Sequence, residues 1–162
     1  PNLIKTELNL LKKVGEKIKL FKNSIHVKGP ERIKSIKNIT TKEYPGFPTD
    51  LAPQFMVLLC KASGTSSITE NIFQGRFLHA MELQRLGAKI TIKNRTAKID
   101  GNTNFIAAEV MSSDLRASAA LVLAGIVSKG NTVVTRVYHC DRGYENFENK
   151  LKKIGVKIKR LK

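Results

Sequence analysis

Cysteine is scarce in this sequence, which contains only Cys60 and Cys140. The two residues form no CxxC pair and have no metal-ligand spacing, and His139 beside Cys140 has no partners that would complete a site. The sequence therefore predicts no bound metal and no cofactor. Two thiols without a disulfide framework are typical of a reducing compartment, and we expect a cytoplasmic protein with both thiols reduced.

Long apolar runs are absent as well. The longest nearly apolar run covers residues 117–128 and is bounded by Arg116 and Lys129. A membrane-spanning helix needs roughly 20 such residues, so we expect no membrane segment. With 162 residues, of which 41% are hydrophobic, the chain has the size and apolar content of one domain with its own core.

Acidic residues are few, because 13 Asp and Glu stand against 29 Lys and Arg, which gives a net charge of +16. Such a balance can indicate nucleic-acid binding. In segments 17–20 and 156–159, however, lysines alternate with apolar residues, which is the pattern of half-buried strands with a solvated face. Aromatic residues make up only 6% of the chain. The sequence therefore favours a solvated basic face over a nucleic-acid partner.

One pattern occurs three times: a leucine, an apolar residue three positions later, a glycine, and then Lys-Ile two residues further on. Its glycines are Gly15, Gly87 and Gly155. A glycine that closes an apolar helical face favours a left-handed C-terminal cap, and the Lys-Ile segment after it favours a strand. The sequence thus predicts three helix-to-strand transitions of the same kind.

A second pattern alternates with the first. The triplets 49–51 (Thr-Asp-Leu) and 113–115 (Ser-Asp-Leu) each open an apolar stretch that a glycine closes. Short polar residues before an apolar run are typical helix N-caps. The β-branched segments 66–69 and 132–135 that follow favour strands.

Together the two patterns divide the chain into repeat units. Residues 30–101 form one complete unit, with the order strand, helix, strand, helix, strand, strand, and with a final hairpin of strands 89–93 and 96–100. Residues 1–29 are the end of a preceding unit, and residues 102–162 form a unit that lacks its last strand. Repeat units pack on one another, so we expect this chain, which starts at Pro1 rather than Met, to be part of a longer protein.

Four segments carry a resemblance to a known family. Residues 44–50 read Tyr-Pro-Gly-Phe-Pro-Thr-Asp, residues 68–77 Ile-Thr-Glu-Asn-Ile-Phe-Gln-Gly-Arg-Phe, residues 113–119 Ser-Asp-Leu-Arg-Ala-Ser-Ala, and residues 138–145 Tyr-His-Cys-Asp-Arg-Gly-Tyr-Glu. In this order they resemble the C-terminal part of the UDP-N-acetylglucosamine enolpyruvyl transferases. The resemblance implies an inside-out α/β barrel of βαβαββ repeats, here incomplete at both ends, and an N-terminal domain of the same chain that is missing here.

The resemblance also implies a reaction. Members transfer the enolpyruvyl group from phosphoenolpyruvate to the 3-hydroxyl of UDP-N-acetylglucosamine and release phosphate, at the start of peptidoglycan synthesis. A sugar hydroxyl needs a carboxylate to accept its proton. A substrate with phosphate and carboxylate groups suits guanidinium forks, which also stabilise charge during addition. The reactive cysteine of the family belongs to the other domain, and Cys60 does not replace it, so we expect the isolated chain to be inactive.

Position by position, the resemblance implies a catalytic base that also contacts the sugar, Asp50, and a catalytic arginine beside phosphoenolpyruvate, Arg142. It implies further substrate contacts at Thr49, Ile72, Phe73, Arg76, Asp114 and Arg116. Simpler interpretations stay open for each residue type. Either aspartate can be only a helix N-cap, the arginines can be surface charges, and the apolar residues can belong to the core.

Three other functions also stay open. A shikimate-pathway enolpyruvyl transferase would share the fold and the mechanism but not the acceptor. A basic nucleic-acid-binding module would show salt-sensitive binding. A decaying gene product would have no activity.

Overall fold

The first elements of the fold are a helix and a hairpin. The computed structural model describes residues 2–161, and a 3-10 turn at Asn2–Ile4 leads into α1 (Lys5–Lys13). Gly15 follows with a φ of 108°, and the antiparallel pair β1 (Lys17–Leu20) and β2 (Ile25–Lys28) comes next. Gly87 and Gly155 also have a positive φ, so the predicted glycine-ended helices are confirmed.

The central part of the chain forms a four-stranded sheet and two helices. Its elements are β3 (Ile39–Thr40), a 3-10 turn (Thr49–Leu51), α2 (Ala52–Cys60), β4 (Thr65–Thr69), α3 (Leu78–Arg85), β5 (Lys89–Lys93) and β6 (Thr96–Asp100). This is the predicted element order, and the hairpin strands have the predicted bounds, with Asn94 at a φ of 54° in the turn. The strand order is β3-β4-β6-β5, with β3 parallel to β4 and the other pairs antiparallel.

The last part of the chain contains a shorter set of elements. They are β7 (Glu109–Met111), α4 (Leu115–Ile126), β8 (Val133–Thr135), α5 (Tyr138–Asp141) and α6 (Phe147–Lys153), with β7 and β8 parallel. The strand predicted at 156–159 is wrong, because this segment pairs with no described strand. Its apolar residues are half-buried and its lysines exposed, so the alternation is present without the hydrogen-bonded neighbour that a strand needs.

Helices occupy the inside of the fold and sheets the outside. Seven of the nine residues of α2 are buried, and α4 is buried along most of its length. A helix that is apolar on all sides must be covered on all sides. Accordingly α2 packs against α4, α3 and the inner face of β4 and β6. On that inner face Ile68, Ala97 and Ile99 are fully buried.

The outer face of the sheets carries much of the positive charge. Lys89 and Lys98 are exposed on the four-stranded sheet, while Ile90 is buried on the other face. Lys17 and Lys19 are likewise exposed on β1. The prediction of half-buried strands is only partly correct there, because Leu20 and Val27 are each 48% exposed. No described layer covers that hairpin, whereas helices cover the central sheet.

Candidate active site

A cleft of about 200 Å³ lies where the segment after β4 meets the start of α4. Thr41 and Glu70 follow the carboxyl ends of the parallel strands β3 and β4 at one edge of their sheet, and Ser112 follows β7 in a separate two-stranded sheet. Such an edge is the usual place for a site in sheets with parallel strands. The cleft is lined by Pro53, Phe73, Gln74, Gly75, Arg76, Leu78, His79, Asp114 and Arg116.

Asp50 forms ion pairs with two arginines that line the cleft, Arg116 and Arg76. Arg116 donates from Nε to Oδ1 at 2.6 Å and from Nη2 to Oδ2 at 2.9 Å, which is the bidentate geometry that guanidinium and carboxylate prefer. Arg76 approaches the same Oδ1 with Nη1 at 3.4 Å. The hydrogen bonds from Arg116 are the main cause that lowers the pKa of Asp50. Partial burial opposes them, and the positive charges of Arg116 and Arg76 add to the lowering. Asp50 is therefore an ionised acceptor.

Arg76 is held on two sides besides its contact with Asp50. Its Nη1 donates to Thr49 Oγ1 at 2.9 Å, and its guanidinium carbon lies 4.3 Å from the centroid of the Phe73 ring. This stacking fixes the plane of the guanidinium. Phe73 is 51% exposed, so it is a surface residue and not the core residue that its apolar character also allowed. Phe73 thus lines the cleft and Thr49 contacts Arg76, which also lines it, while the substrate contacts of both residues stay a prediction.

Asp114 differs from Asp50 in its partners. It is the N-cap of α4, with an extended backbone, and its Oδ1 accepts from the backbone N–H groups of Arg116 at 2.9 Å and Ala117 at 3.0 Å. Burial opposes its ionisation, but these bonds, with the Ser113 hydroxyl, hold the pKa of Asp114 below its ordinary value. For Asp114 the capping interpretation is correct, and the carboxylate also lines the cleft.

For Asp50 the capping interpretation is wrong. Asp50 lies within the 3-10 turn Thr49–Leu51, whose N-cap is Pro48, and no backbone N–H in the turn donates to a side-chain cap. Asp50 is therefore not in the N-cap position, from which a side chain accepts hydrogen bonds from the N–H groups of the first turn. The carboxylate of Asp50 is consequently available to side chains or a ligand.

The remaining predicted residues, Ile72 and Arg142, do not line the cleft. The backbone N–H of Ile72 donates to Glu70 Oε1 at 2.7 Å, so the backbone group it can offer a ligand is its carbonyl oxygen. Arg142 is exposed at the end of α5 and forms no ion pair with a described residue. Its neighbour Gly143 packs on Leu115, since a Cβ there would lie 2.8 Å from Leu115 Cδ2. Arg142 is thus near the start of α4 without contacting Asp50.

Glu70 is a site residue that the sequence analysis did not assign. It is only 2% exposed, and its carboxylate accepts hydrogen bonds from Thr41, Thr49, Ile72 and Phe73. Burial opposes ionisation, yet these hydrogen bonds keep its pKa below the ordinary value. The sequence did contain a signal for this residue, because Glu70 directly follows a β-branched strand and lies within segment 68–77, which carries the family resemblance.

Several other reactive groups are inert or isolated. Both cysteines are buried and free, and burial raises the pKa of Cys60 to about 12, so its thiol is not a nucleophile near neutral pH. His79 lines the cleft almost fully buried, and its Nε2 has no hydrogen-bond partner.

Within residues 2–161, no cluster of three His, Cys, Asp or Glu side chains is suited to a metal ion. No described helix has the length and apolarity to cross a bilayer.

Comparison with known proteins gives relatives along the whole chain. The family model described as EPSP synthase (3-phosphoshikimate 1-carboxyvinyltransferase) matches residues 3–151. A protein of Pelagibacter ubique named UDP-N-acetylglucosamine 1-carboxyvinyltransferase is 58% identical over 161 residues, and proteins of the same name from Desulfosudis oleivorans and Helicobacter pylori strain 26695 are 50% and 48% identical. Each match covers 99% or 100% of this chain and 38% of the relative.

Solved structures show the same fold. The enolpyruvyl transferase NikO from Streptomyces tendae superimposes with a TM-score of 0.89 at 25% identity, over 96% of this chain and 36% of that one. EPSP synthase from Acinetobacter baumannii gives a TM-score of 0.68 at 18% identity, again over 96% of this chain. The predicted fold class is confirmed: the chain forms part of an inside-out α/β barrel of the enolpyruvyl transferase type.

Proposed function

Because the chain belongs to the EPSP synthase family, we propose that it provides part of the active site of an enolpyruvyl transferase. The acceptor is UDP-N-acetylglucosamine, the donor is phosphoenolpyruvate, and the products are the enolpyruvyl sugar nucleotide and phosphate. The names of the relatives that are 48–58% identical favour this acceptor. The chain spans 38% of the length of the first of these relatives. The remaining residues of the site, including the reactive cysteine that the family resemblance implies, would then belong to another part of the protein.

The observation that carries the proposal is the position of Asp50. Its carboxylate caps no helix, is ionised, and faces two guanidinium groups in the cleft. A sugar hydroxyl placed there would have a proton acceptor within reach. Arg76 and Arg116 would bind the anionic donor beside it, and Arg142, at the end of α5, would approach the donor from the far side. Charge that develops during addition would then face fixed positive groups.

The ion pair also gives Asp50 two states. While Arg116 holds both carboxylate oxygens, the low pKa makes Asp50 a weak base. A bound phosphate or carboxylate competes for the same guanidinium, since both anions suit its fork. Loss of that partner would raise the pKa of Asp50 towards its ordinary value. Phosphoenolpyruvate would thus create the base that its own transfer requires.

The place of this activity in the cell follows from the chemistry. Both substrates are soluble metabolites, and buried free thiols fit a reducing compartment, so the proposed location is the cytoplasm. The product would feed peptidoglycan synthesis, and with it cell shape and division. Depletion of the full-length protein should therefore produce wall defects.

The test uses a chimera in which this chain replaces the matching segment of the Pelagibacter ubique relative, which is 58% identical. Phosphate release from phosphoenolpyruvate should depend on UDP-N-acetylglucosamine, and shikimate 3-phosphate should not replace it. The Pelagibacter ubique protein is the positive control, and this chain alone should be inactive. A chimera that melts as sharply as the control but releases no phosphate would overturn the proposal, and release with shikimate 3-phosphate alone would move it to the sister activity.

A further inference from the structure

Glu70 is a buried carboxylate surrounded by neutral donors. Its Oε1 accepts from the Thr41 hydroxyl at 2.8 Å and from the N–H groups of Ile72 and Phe73 at 2.7 and 3.1 Å. Its Oε2 accepts from the Thr49 hydroxyl at 2.7 Å. No described Lys or Arg forms an ion pair with it. These four hydrogen bonds satisfy the buried charge without a cation, and two of the donors are side-chain hydroxyls whose orientation the carboxylate can set.

The direction of one hydrogen bond reveals that role. An ionised carboxylate can only accept, so the Thr49 hydroxyl must donate its proton to Glu70. The lone pairs of Thr49 Oγ1 then face the cleft, where Arg76 Nη1 donates to them at 2.9 Å. The same nitrogen lies 3.4 Å from Asp50 Oδ1. Hydrogen bonds therefore run in one direction, from Arg76 to Thr49 to Glu70.

We propose that Glu70 is a positioning residue that orients Arg76 against Asp50 through the Thr49 hydroxyl. The inference rests on the proposed transferase function, because it concerns the same cleft. Glu70 need not touch a substrate. Its charge makes the Thr49 hydroxyl present its oxygen lone pairs, and not its hydrogen, to Arg76. This keeps Nη1 of Arg76 on Thr49 and Asp50 and leaves the other guanidinium nitrogens free for the anionic donor.

A purely structural role for Glu70 can be separated from this one. The backbone of Glu70 is held independently of its carboxylate, since its N–H donates to Arg95 O at 2.8 Å and its carbonyl accepts from Arg95 Nε at 2.8 Å. Glu70→Gln keeps this anchor and the side-chain shape. The new amide nitrogen, however, is a donor. It has to take the place of Oε2, because Oε1 accepts from two backbone N–H groups, so the Thr49 hydroxyl must turn to accept.

The experiment is a double-mutant cycle in the chimera. Glu70→Gln and Thr49→Val should each lower kcat by roughly tenfold to 100-fold, because small displacements of a substrate-positioning group cost rate of this order. The double variant should be no worse than the poorer single variant, since both changes break one relay. Thr41→Val is the matched control. It removes the other hydroxyl on Glu70, which does not contact Arg76, and should lower kcat less than Thr49→Val while lowering stability.

Two results would overturn the proposal. One is parental kcat in Glu70→Gln, and the other is a double variant whose loss is the product of the two single losses. An inactive parental chimera would count against the transferase function instead. In that case a crystal structure of Glu70→Gln decides about Glu70, and Arg76 Nη1 remaining on Thr49 and Asp50 would refute its positioning role.

Discussion

The starts of helices α2 and α4 have the same sequence pattern, a hydroxyl residue followed by Asp and Leu, but the two aspartates have different partners. Asp114 accepts hydrogen bonds from two backbone N–H groups of α4. Asp50 accepts from Arg116 and Arg76. The backbone of α4 cannot leave Asp114 while the helix is intact, whereas a ligand can displace a guanidinium from Asp50. One carboxylate therefore serves stability and the other is available for chemistry.

The difference arises from the residues just before each helix. Asp114 has an extended backbone, with φ −162° and ψ 175°, and stands outside α4. Asp50 is part of a 3-10 turn that precedes α2, and the extended residue before that turn is Pro48. Pro48 precedes the turn and Leu51 precedes α2, and neither side chain has an acceptor, so the start of α2 is uncapped by side chains. The start of α2 thus lacks the stabilisation of a side-chain cap, and the Asp50 carboxylate can bind other groups instead.

The largest effect should come from Asp50→Asn in the chimera. Asn is neutral and cannot accept the hydroxyl proton, so kcat should fall by about 10² to 10⁴, the usual cost of losing a positioned base. Stability should change little, because Asp50 is exposed and caps nothing. Turnover and a thermal melt on the same preparation measure both.

The matched control for Asp50→Asn is Asp100→Asn. Asp100 pairs with Lys98 on the outer face of the sheet, away from the cleft, so both readouts should stay parental. A near-parental kcat in Asp50→Asn would show that Asp50 is not the catalytic base and that its ion pair has no catalytic role.

A smaller effect concerns the neighbour of Asp114. Burial lowers the pKa of His79 from 6.5 to about 4, with Asp114 opposing the shift. In the unfolded chain His79 therefore binds a proton between these values while the folded chain leaves it neutral. Stability should fall as the pH drops from 6.5 towards 4, by on the order of 3 kcal/mol from this group.

Replacing the histidine isolates this contribution. His79→Leu should flatten the pH dependence of Tm between pH 6.5 and 4, while His26→Leu, on the exposed strand β2, should leave the slope nearly parental. Melts at several pH values in the chimera provide the comparison. An unchanged slope in His79→Leu would show that the pKa of this histidine does not differ between the folded and unfolded chain.

Local patterns made much of the fold predictable. The hairpin of β5 and β6 follows from alternation and Asn94, and the helix ends follow from their glycines, because each feature depends on residues adjacent in sequence. The segment 156–159 shows the limit, since its alternation is local but its pairing depends on a remote strand. The candidate site residues came from the family resemblance, and their partners were not predictable from spacing.

Glu70 and Asp50 illustrate why those partners were missed. The contacts of Glu70 with Thr41 and Thr49 span 29 and 21 residues, and the pair of Asp50 with Arg116 spans 66. Spacing along a helix or strand cannot reveal such contacts, and the N-cap pattern at Asp50 pointed to the wrong partner. Electrostatic roles of this kind become visible only when the strand ends are brought together.

The smallest expected effect is a difference in stability between variants of Asp114 and variants of Asp50. Asp114→Ala removes the cap of α4 and should cost about 1 kcal/mol, the usual effect of losing an N-cap. Asp50→Ala removes an exposed ion pair, whose contribution is typically about 0 to 1 kcal/mol, so its melt should lie closer to the parental one. Asp114→Asn should be more stable than Asp114→Ala, because Asn caps about as well as Asp. Asp50→Asn should not be more stable than Asp50→Ala in this way, because Asp50 caps no helix. Thermal melts of the four variants at pH 7 measure the differences. Equal losses in the two alanine variants, with rescue by Asn at both positions, would show that Asp50 caps α2 in solution and would remove the distinction between the two helix starts.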